Sequence, residues 1–310
     1  MSTGGGDSRR RTTRATVIFI LLLVLGVIWP QPVVFINSVT FDADLPLHEK
    51  SFLGREAPQW DVPYWMITGL LTILLIRGGN QPISPALRLF REDLRGIGGR
   101  LLVTLRAIRG LRFPGALAVG VVTTALTWIF LDSWLLASLD FLRTDAPRIL
   151  ARYLNRLGGG MNPAMVIGYL TLAGIAFTRP RWWRYAMAMA MGGIAAGVFV
   201  QLLKLIVHRA RPELWLGPGV FIESTSSSFP SGHAVGAFAL AGVLVFGSPS
   251  RSVRTAAFLL ASAIAISRVI VFRHWPSDVV AAAFIGLSAA WLATRALVNC
   301  EDDVAENGHR

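Results

Sequence analysis

The chain has 310 residues, of which 53% are hydrophobic and only 15% charged, with a net charge of +12 and one cysteine, Cys300. A soluble domain carries charge on about a quarter of its residues, so the composition points to a membrane protein, and a lone cysteine excludes an intrachain disulfide. The basic excess is almost all arginine, Lys50 and Lys204 being the only lysines; in a membrane protein such an excess marks cytoplasmic loops rather than nucleic acid binding.

Residues 1–14 hold Arg9, Arg10, Arg11 and Arg14 and read as a basic cytoplasmic tail. Eight apolar blocks follow, at about 15–36, 63–77, 113–137, 163–178, 185–207, 232–247, 255–272 and 279–298. A spanning helix needs about 20 residues, so the blocks at 63–77 and 163–178 are short. The first block reads on through Ile28-Trp29-Pro30-Gln31-Pro32 without a small-residue cleavage site, which favours an uncleaved anchor over a signal peptide.

The arginines orient the spans. The stretch Arg77 to Arg112, the loop with Arg179, Arg181 and Arg184, and the loop with Arg251 and Arg254 all fall inside if the tail is inside. The loop 37–62, with Asp42, Asp44, Glu49, Glu56 and Asp61, falls outside. Two basic segments are expected to lie on the membrane surface. In 142–157, Arg148, Arg152 and Arg156 recur opposite Ile149, Tyr153 and Leu157, between a capping Asp145 and the run Gly158-Gly159-Gly160. Residues 100–112 show a similar pattern on the inner side. Gly193 and Gly197 are spaced for close helix packing.

Ionisable groups are costly beside hydrocarbon, so their placement is informative. Lys204 and Arg211-Pro212 end the fifth block, Pro230-Ser231-Gly232-His233 opens the sixth, and Ser267-Arg268, His274 and Asp278 bridge the seventh and eighth. The charge-derived topology puts all three groups at the outer face. Each has an ordinary reading alone: Lys204 as a snorkelling side chain, Arg209 and Arg211 as flanking charges, Ser231 as a helix cap, His274 and Asp278 as a helix pair. Together they place cations, two histidines and a carboxylate at one membrane face. Cations of this kind suit phosphate, with the amides of Ser231 and Gly232 as further donors. A histidine can attack phosphorus, a carboxylate can hold its tautomer, and a second histidine can protonate the leaving oxygen.

These motifs resemble those of the type-2 phosphatidic acid phosphatase family, which also includes soluble acid phosphatases and vanadium haloperoxidases. The likeness rests on Lys204 with Arg211-Pro212, on Pro230-Ser231-Gly232-His233, and on Ser267-Arg268 with His274 and Asp278. It implies a catalytic group of His274 as nucleophile, Asp278 orienting it, and His233 as general acid and then base toward water. It further implies phosphate binding by Lys204, Arg211, Ser231, Gly232 and Arg268, with no metal and no cofactor.

The expectation is therefore an all-α polytopic transmembrane bundle. Residues 113–298 form a six-helix phosphatase core, 15–112 a membrane region with two spans and a basic cytoplasmic segment, and 299–310 a cytoplasmic tail. The expected activity is hydrolysis of a phosphomonoester or pyrophosphate on a lipid such as phosphatidic acid, phosphatidylglycerol phosphate, undecaprenyl pyrophosphate or lipid A, through a phosphohistidine. The expected partners are the lipid phosphate and membrane lipids, without nucleic acid. The expected location is a bacterial inner membrane with the site facing the periplasm. A lipid phosphotransferase on the same core is the first alternative and an anion transporter the second; charges at one face rather than at mid-depth, and no inverted repeat, argue against transport. The loop 213–229, with Trp215, Phe221, Glu223 and a serine run, reads either as a head-group contact or as a flexible linker.

Overall fold

The computed structural model describes residues 84–108, 113–139, 145–159, 162–212 and 227–298. The tails, the apolar blocks at 15–36 and 63–77, the loop 37–62, and residues 213–226 lie outside the described residues. The compact unit considered below comprises residues 84–175 and 179–310.

All regular elements among the described residues are helical. They are α1 (Ser84–Ile108), α2 (Phe113–Leu126), a π-helical turn (Thr127–Leu131), α3 (Asp132–Ser138), α4 (Asp145–Gly158) and α5 (Asn162–Ala176). After these come α6 (Pro180–Val207), α7 (Gly232–Gly247), α8 (Arg251–Ile270) and α9 (Pro276–Leu297). Among the described residues, four stretches are long and apolar enough to cross a membrane: Leu117–Ser138, Pro180–Val207, Arg251–Ile270 and Pro276–Leu297; α5 and α7 are shorter apolar helices. Every apolar block from 113 onward is thus a helix, and the fold is the expected transmembrane helical bundle.

Local chemistry sets the boundaries. Pro180 and Pro276 open α6 and α9, where a missing N–H is no loss. Ser250 caps α8 by accepting from the Val253 amide. His208 ends α6 in the left-handed region, at φ 46°. The lipid-facing side is apolar and exposed, with Ile129, Phe130 and Trp134 beyond α2, and Leu205 and Ile206 on α6.

Helix α7 packs against α6, α8 and α9, and small residues let it approach closely. A Cβ on Gly286 would stand 2.7 Å from the Val235 carbonyl oxygen, and one on Gly242 would stand 2.6 Å from Ala290 Cβ. The close-packing residues of α6 are not Gly193 and Gly197, as the spacing suggested. Gly197 has nothing within 4 Å of a would-be Cβ, whereas Gly192 sits on the backbone of Ala289 and Ala290. The buried stripe is Gly192, Ala196 and Val200, one position earlier in the helical period.

Of the basic pattern expected over 100–112, residues 100–108 belong to a longer helix and 109–112 lie outside the described residues. Helix α1 starts at Ser84 and packs on α6 and α9. Its anchor is Asp93, which accepts from Trp183 Nε1 at 2.9 Å, Arg184 Nε at 2.9 Å and Arg100 Nη2 at 2.8 Å. Phe90 meets the Trp183 ring edge-on. Burial opposes ionisation of Asp93, but the bonds from Arg184, Trp183 and Arg100 outweigh it and hold its carboxyl below the ordinary 3.8. Its contribution to stability is therefore present at neutral pH and is lost as pH falls through that depressed value. Asp93→Ala strands the buried Trp183 indole N–H and is expected to remove about 1–3 kcal/mol. Thermal unfolding in detergent checks this. Activity of the folded protein should stay near native, because Trp183 and Lys204 lie roughly 30 Å apart along α6.

Candidate active site

Successive helices α6 to α9 alternate in direction, so one end of the bundle collects the end of α6, the start of α7, the end of α8 and the start of α9. Lys204 lies in the last turn of α6, His233 in the first turn of α7, Arg268 in the last turn of α8 and Asp278 in the first turn of α9. His274 lies in the link between α8 and α9 and is 2% exposed. The sequence-expected groups converge: His233 is within electrostatic reach of Arg268, His274, Lys204 and Arg211.

The imidazole is fixed in one tautomer. His274 Nδ1 lies 2.8 Å from the Ser228 carbonyl oxygen, which can only accept, so Nδ1 carries the proton and Nε2 keeps its lone pair. Asp278 was expected to make this bond. Its Oδ2 instead stands 3.6 Å from Nδ1, close enough for charge but beyond hydrogen-bond range. Asp278 Oδ2 accepts from Ser228 Oγ at 2.5 Å and from the Trp275 amide at 2.9 Å, closing the first turn of α9 as a capping box. Burial pushes His274 down to about 4; Asp278 pulls the other way, and Arg268 and Arg211 add to the depression. That direction, with the proton held on Nδ1, leaves the Nε2 lone pair that a nucleophile needs.

Behind Asp278 stands a residue whose ordinary reading was a flanking charge. Arg209 is fully buried. Its Nη1 donates to Asp278 Oδ1 at 2.6 Å and Ser277 Oγ at 2.7 Å, and its Nη2 donates to Asp132 Oδ2 at 2.5 Å. Its guanidinium lies 3.8 Å from the Trp128 ring centroid. Asp132 also accepts from the Ser277 amide at 2.8 Å and its hydroxyl at 2.6 Å. The π-helical turn before Asp132, in which its amide bonds Thr127 five residues back, sets the angle from which this carboxylate enters the bundle. A carboxylate inside an otherwise apolar span was the available sequence signal for Asp132.

Ser227 and Ser228 are buried rather than part of a solvated linker. The Ser228 amide donates to the Arg209 carbonyl at 2.8 Å, the Arg209 amide to Ser227 Oγ at 3.2 Å, and Lys204 Nζ to the Ser227 carbonyl at 2.9 Å. The Ser231 amide, expected to face phosphate, donates to the Asp278 carbonyl at 3.2 Å. Its hydroxyl is buried and has no hydrogen-bond partner among the described residues. That hydroxyl, beside exposed Gly232 at the start of α7, is a donor suited to an anion.

Helix α4 closes one side. Its Asn155 accepts from Arg268 Nη1, and α4 packs against α8. Its glycines do more than end the helix. A Cβ on Gly159 would overlap His233 Nε2, and one on Gly158 would overlap Ile264. Gly159→Ala should therefore displace the His233 ring and, on the role in proton transfer expected of His233, lower phosphate release about tenfold or more. Steady-state kinetics of the purified variant check this. Among the described residues, no group of three or more His, Cys, Asp or Glu side chains is arranged to hold a metal ion.

Parts of this chain are similar to known proteins. Curated relatives include the lipid A 1-phosphatase of Porphyromonas gingivalis, 33% identical over 108 residues, which are 34% of this chain and 22% of that protein. The lipid A 1-phosphatase of Rhizobium johnstonii is 36% identical over 108 residues, 32% of this chain and 41% of that protein. That of Rhizobium etli is 37% identical over 101 residues, 30% of this chain and 42% of that protein. The chain thus matches less than half the length of each of these relatives. Among solved structures, the transmembrane PAP2-type phosphatidylglycerolphosphate phosphatase of Bacillus subtilis superposes with a TM-score of 0.49 at 22% identity, over 63% of this chain and 98% of that one. The LpxE of Aquifex aeolicus gives 0.40 at 19% identity, over 53% and 94%. The family model of the PAP2 superfamily matches residues 181–302, a span that contains Lys204, Arg211, Ser231, Gly232, His233, Arg268, His274 and Asp278.

Proposed function

We propose that the chain is an integral membrane phosphatase that hydrolyses a lipid phosphate through a phosphohistidine on His274, without a metal. The observation that carries this reading is the fixed, neutral His274, with its Nε2 lone pair available, among Lys204, Arg211 and Arg268. Those three cations and the Ser231 hydroxyl hold the phosphate and offset charge developing on its oxygens. His274 Nε2 attacks phosphorus, the bond to the lipid oxygen breaks, and His233 donates a proton to that leaving oxygen. His233 then takes a proton from water, the water oxygen attacks phosphorus, and the P–N bond breaks to release inorganic phosphate and neutral His274. Asp278 stabilises the positive charge on the phosphorylated imidazole.

The lipid A 1-phosphatase activity of the curated relatives puts lipid A first among substrates. Purified protein should release phosphate from lipid A faster than from phosphatidic acid, phosphatidylglycerol phosphate or undecaprenyl pyrophosphate, and should do so unchanged in EDTA. No phosphate from any of the four, or loss on chelation restored by magnesium, would overturn the reading. Radiolabel passing from donor lipid to a second lipid, with no free phosphate, would make the chain a transferase instead.

The positive-inside tendency orients the site outward, toward the outer leaflet and the periplasm of a bacterial inner membrane. With Cys300 replaced by Ala, Ser226→Cys should react with an impermeant maleimide on intact cells. Reaction only after the cells are broken would invert the topology.

A further inference from the structure

We propose that Arg209 is a positioning residue for His274, acting through both groups that set the imidazole. The inference rests on the reading of His274 as nucleophile. Arg209 has no solvent-accessible surface, so it does not touch substrate. It differs in this from Arg211, which is only part-buried. Its side chain holds Asp278 by Oδ1 alone, which turns Oδ2 toward Ser228, Trp275 and the imidazole. Its backbone brackets Ser227 and Ser228, donating to the first and accepting from the second, and so places the carbonyl that receives the His274 Nδ1 proton. One residue thereby sets the carboxylate and the carbonyl at the same time.

Asp132 completes the device. A buried guanidinium beside one carboxylate would draw that carboxylate fully into the pair and away from the ring. Asp132 takes Nη2 at 2.5 Å while Asp278 takes Nη1 at 2.6 Å, so the arginine charge is shared between two anions. Asp278 thus keeps negative charge for the developing imidazolium. The rings of Trp128 and Trp275, 3.8 and 5.2 Å from the guanidinium carbon, hold the fork in its plane. A lysine at this position would keep the charge but could not hold two carboxylates in fixed directions.

The test is a double-mutant cycle on folded protein, with kcat and KM measured separately. Arg209→Lys should lower kcat at least about tenfold with KM within about twofold, because the interaction lost serves the transition state and not substrate binding. Asp132→Asn should lower kcat in the same sense, less steeply. In an Asp278→Asn background neither change should lower kcat further by more than about twofold, since the side chains act through Asp278, already disabled there, while the backbone bonds of Arg209 to Ser227 and Ser228 remain. Native kcat in both single variants, or losses that add fully in the Asp278→Asn background, would overturn the proposal. Where Arg209→Lys does not fold, Asp132→Asn carries the same cycle. Nitrogen-15 histidine spectra separate this outcome from failure of the phosphatase reading, because they need no turnover. His274 should show a single Nδ1–H tautomer in the native chain, and its ring nitrogen shifts should move in Arg209→Lys and Asp132→Asn as Asp278 Oδ2 turns from its place 3.6 Å from Nδ1. Unchanged ring nitrogen shifts in both variants would overturn the proposal even if the native chain releases no phosphate.

Discussion

His274→Ala is expected to abolish phosphate release, with a loss of roughly three orders of magnitude or more in kcat, because the proposed phosphoenzyme forms on this residue. His233 is the one other imidazole in the cluster, and Gly159 confines its ring against α4. Lys204 Nζ is engaged by the Ser227 carbonyl and, as an ammonium, has no lone pair to offer. The fold should survive the substitution. His274 makes one side-chain hydrogen bond, to a carbonyl at the bundle end, and the helix-packing residues of α7 and α9 are elsewhere. Circular dichroism and thermal unfolding of the variant separate loss of chemistry from loss of structure. Phosphate release near the native rate would remove His274 from the mechanism.

Asp278→Asn should lower kcat by about 10²–10⁴-fold while leaving substrate affinity nearly unchanged, the pattern for losing the anion behind a catalytic histidine. The geometry of the site gives the reason for a large effect. Arg209 Nη1 needs an oxygen, so the new amide must turn its NH2 toward Ser228 and the Trp275 amide. Ser228 Oγ can rotate to accept, but the Trp275 N–H loses its acceptor, and with it the capping box of α9. The imidazolium then forms without a negative charge 3.6 Å away. Steady-state kcat and KM, with binding of a non-hydrolysable lipid phosphonate, measure the two parts. A matched fall in affinity would mean that Asp278 contacts the substrate.

The spans from 113 onward were legible because hydrophobic blocks of membrane length have one solution, a helix, and the arginines between them alternate in number. The groups of the site were legible because charges beside hydrocarbon need a reason, and because Lys204, His233, Arg268, His274 and Asp278 fall at the ends of consecutive spans. What escaped was the layer behind them. Arg209 lies among Lys204, His208 and Arg211, where one more basic residue at a membrane boundary looks like a flanking charge. Only the fold shows that it points inward to two carboxylates. Asp132 was visible as an acid inside an apolar block, yet its partner is 77 residues away, and no helical period links such a pair. Ser227 and Ser228 sit in a run whose composition suits a linker, and they are buried because Arg209 and Lys204 bond to them. The choice between Gly192 and Gly193 on α6 turned on one position of helical phase, which an apolar helix with small residues on several sides does not reveal.

The central claim is a covalent intermediate on His274, and its most direct measurement is to trap it. Protein mixed with lipid A carrying a radiolabelled 1-phosphate, quenched in alkali within the first turnover and digested, should yield one labelled peptide containing His274. The label should be stable in alkali, lost in acid, and absent from His274→Ala. It should build up in His233→Ala when the lipid carries a leaving group that needs no proton, because that variant lacks the base that directs water to the phosphohistidine. Label on another residue, or phosphate release from native protein with no label in any peptide during the first turnover of either protein, would contradict the account.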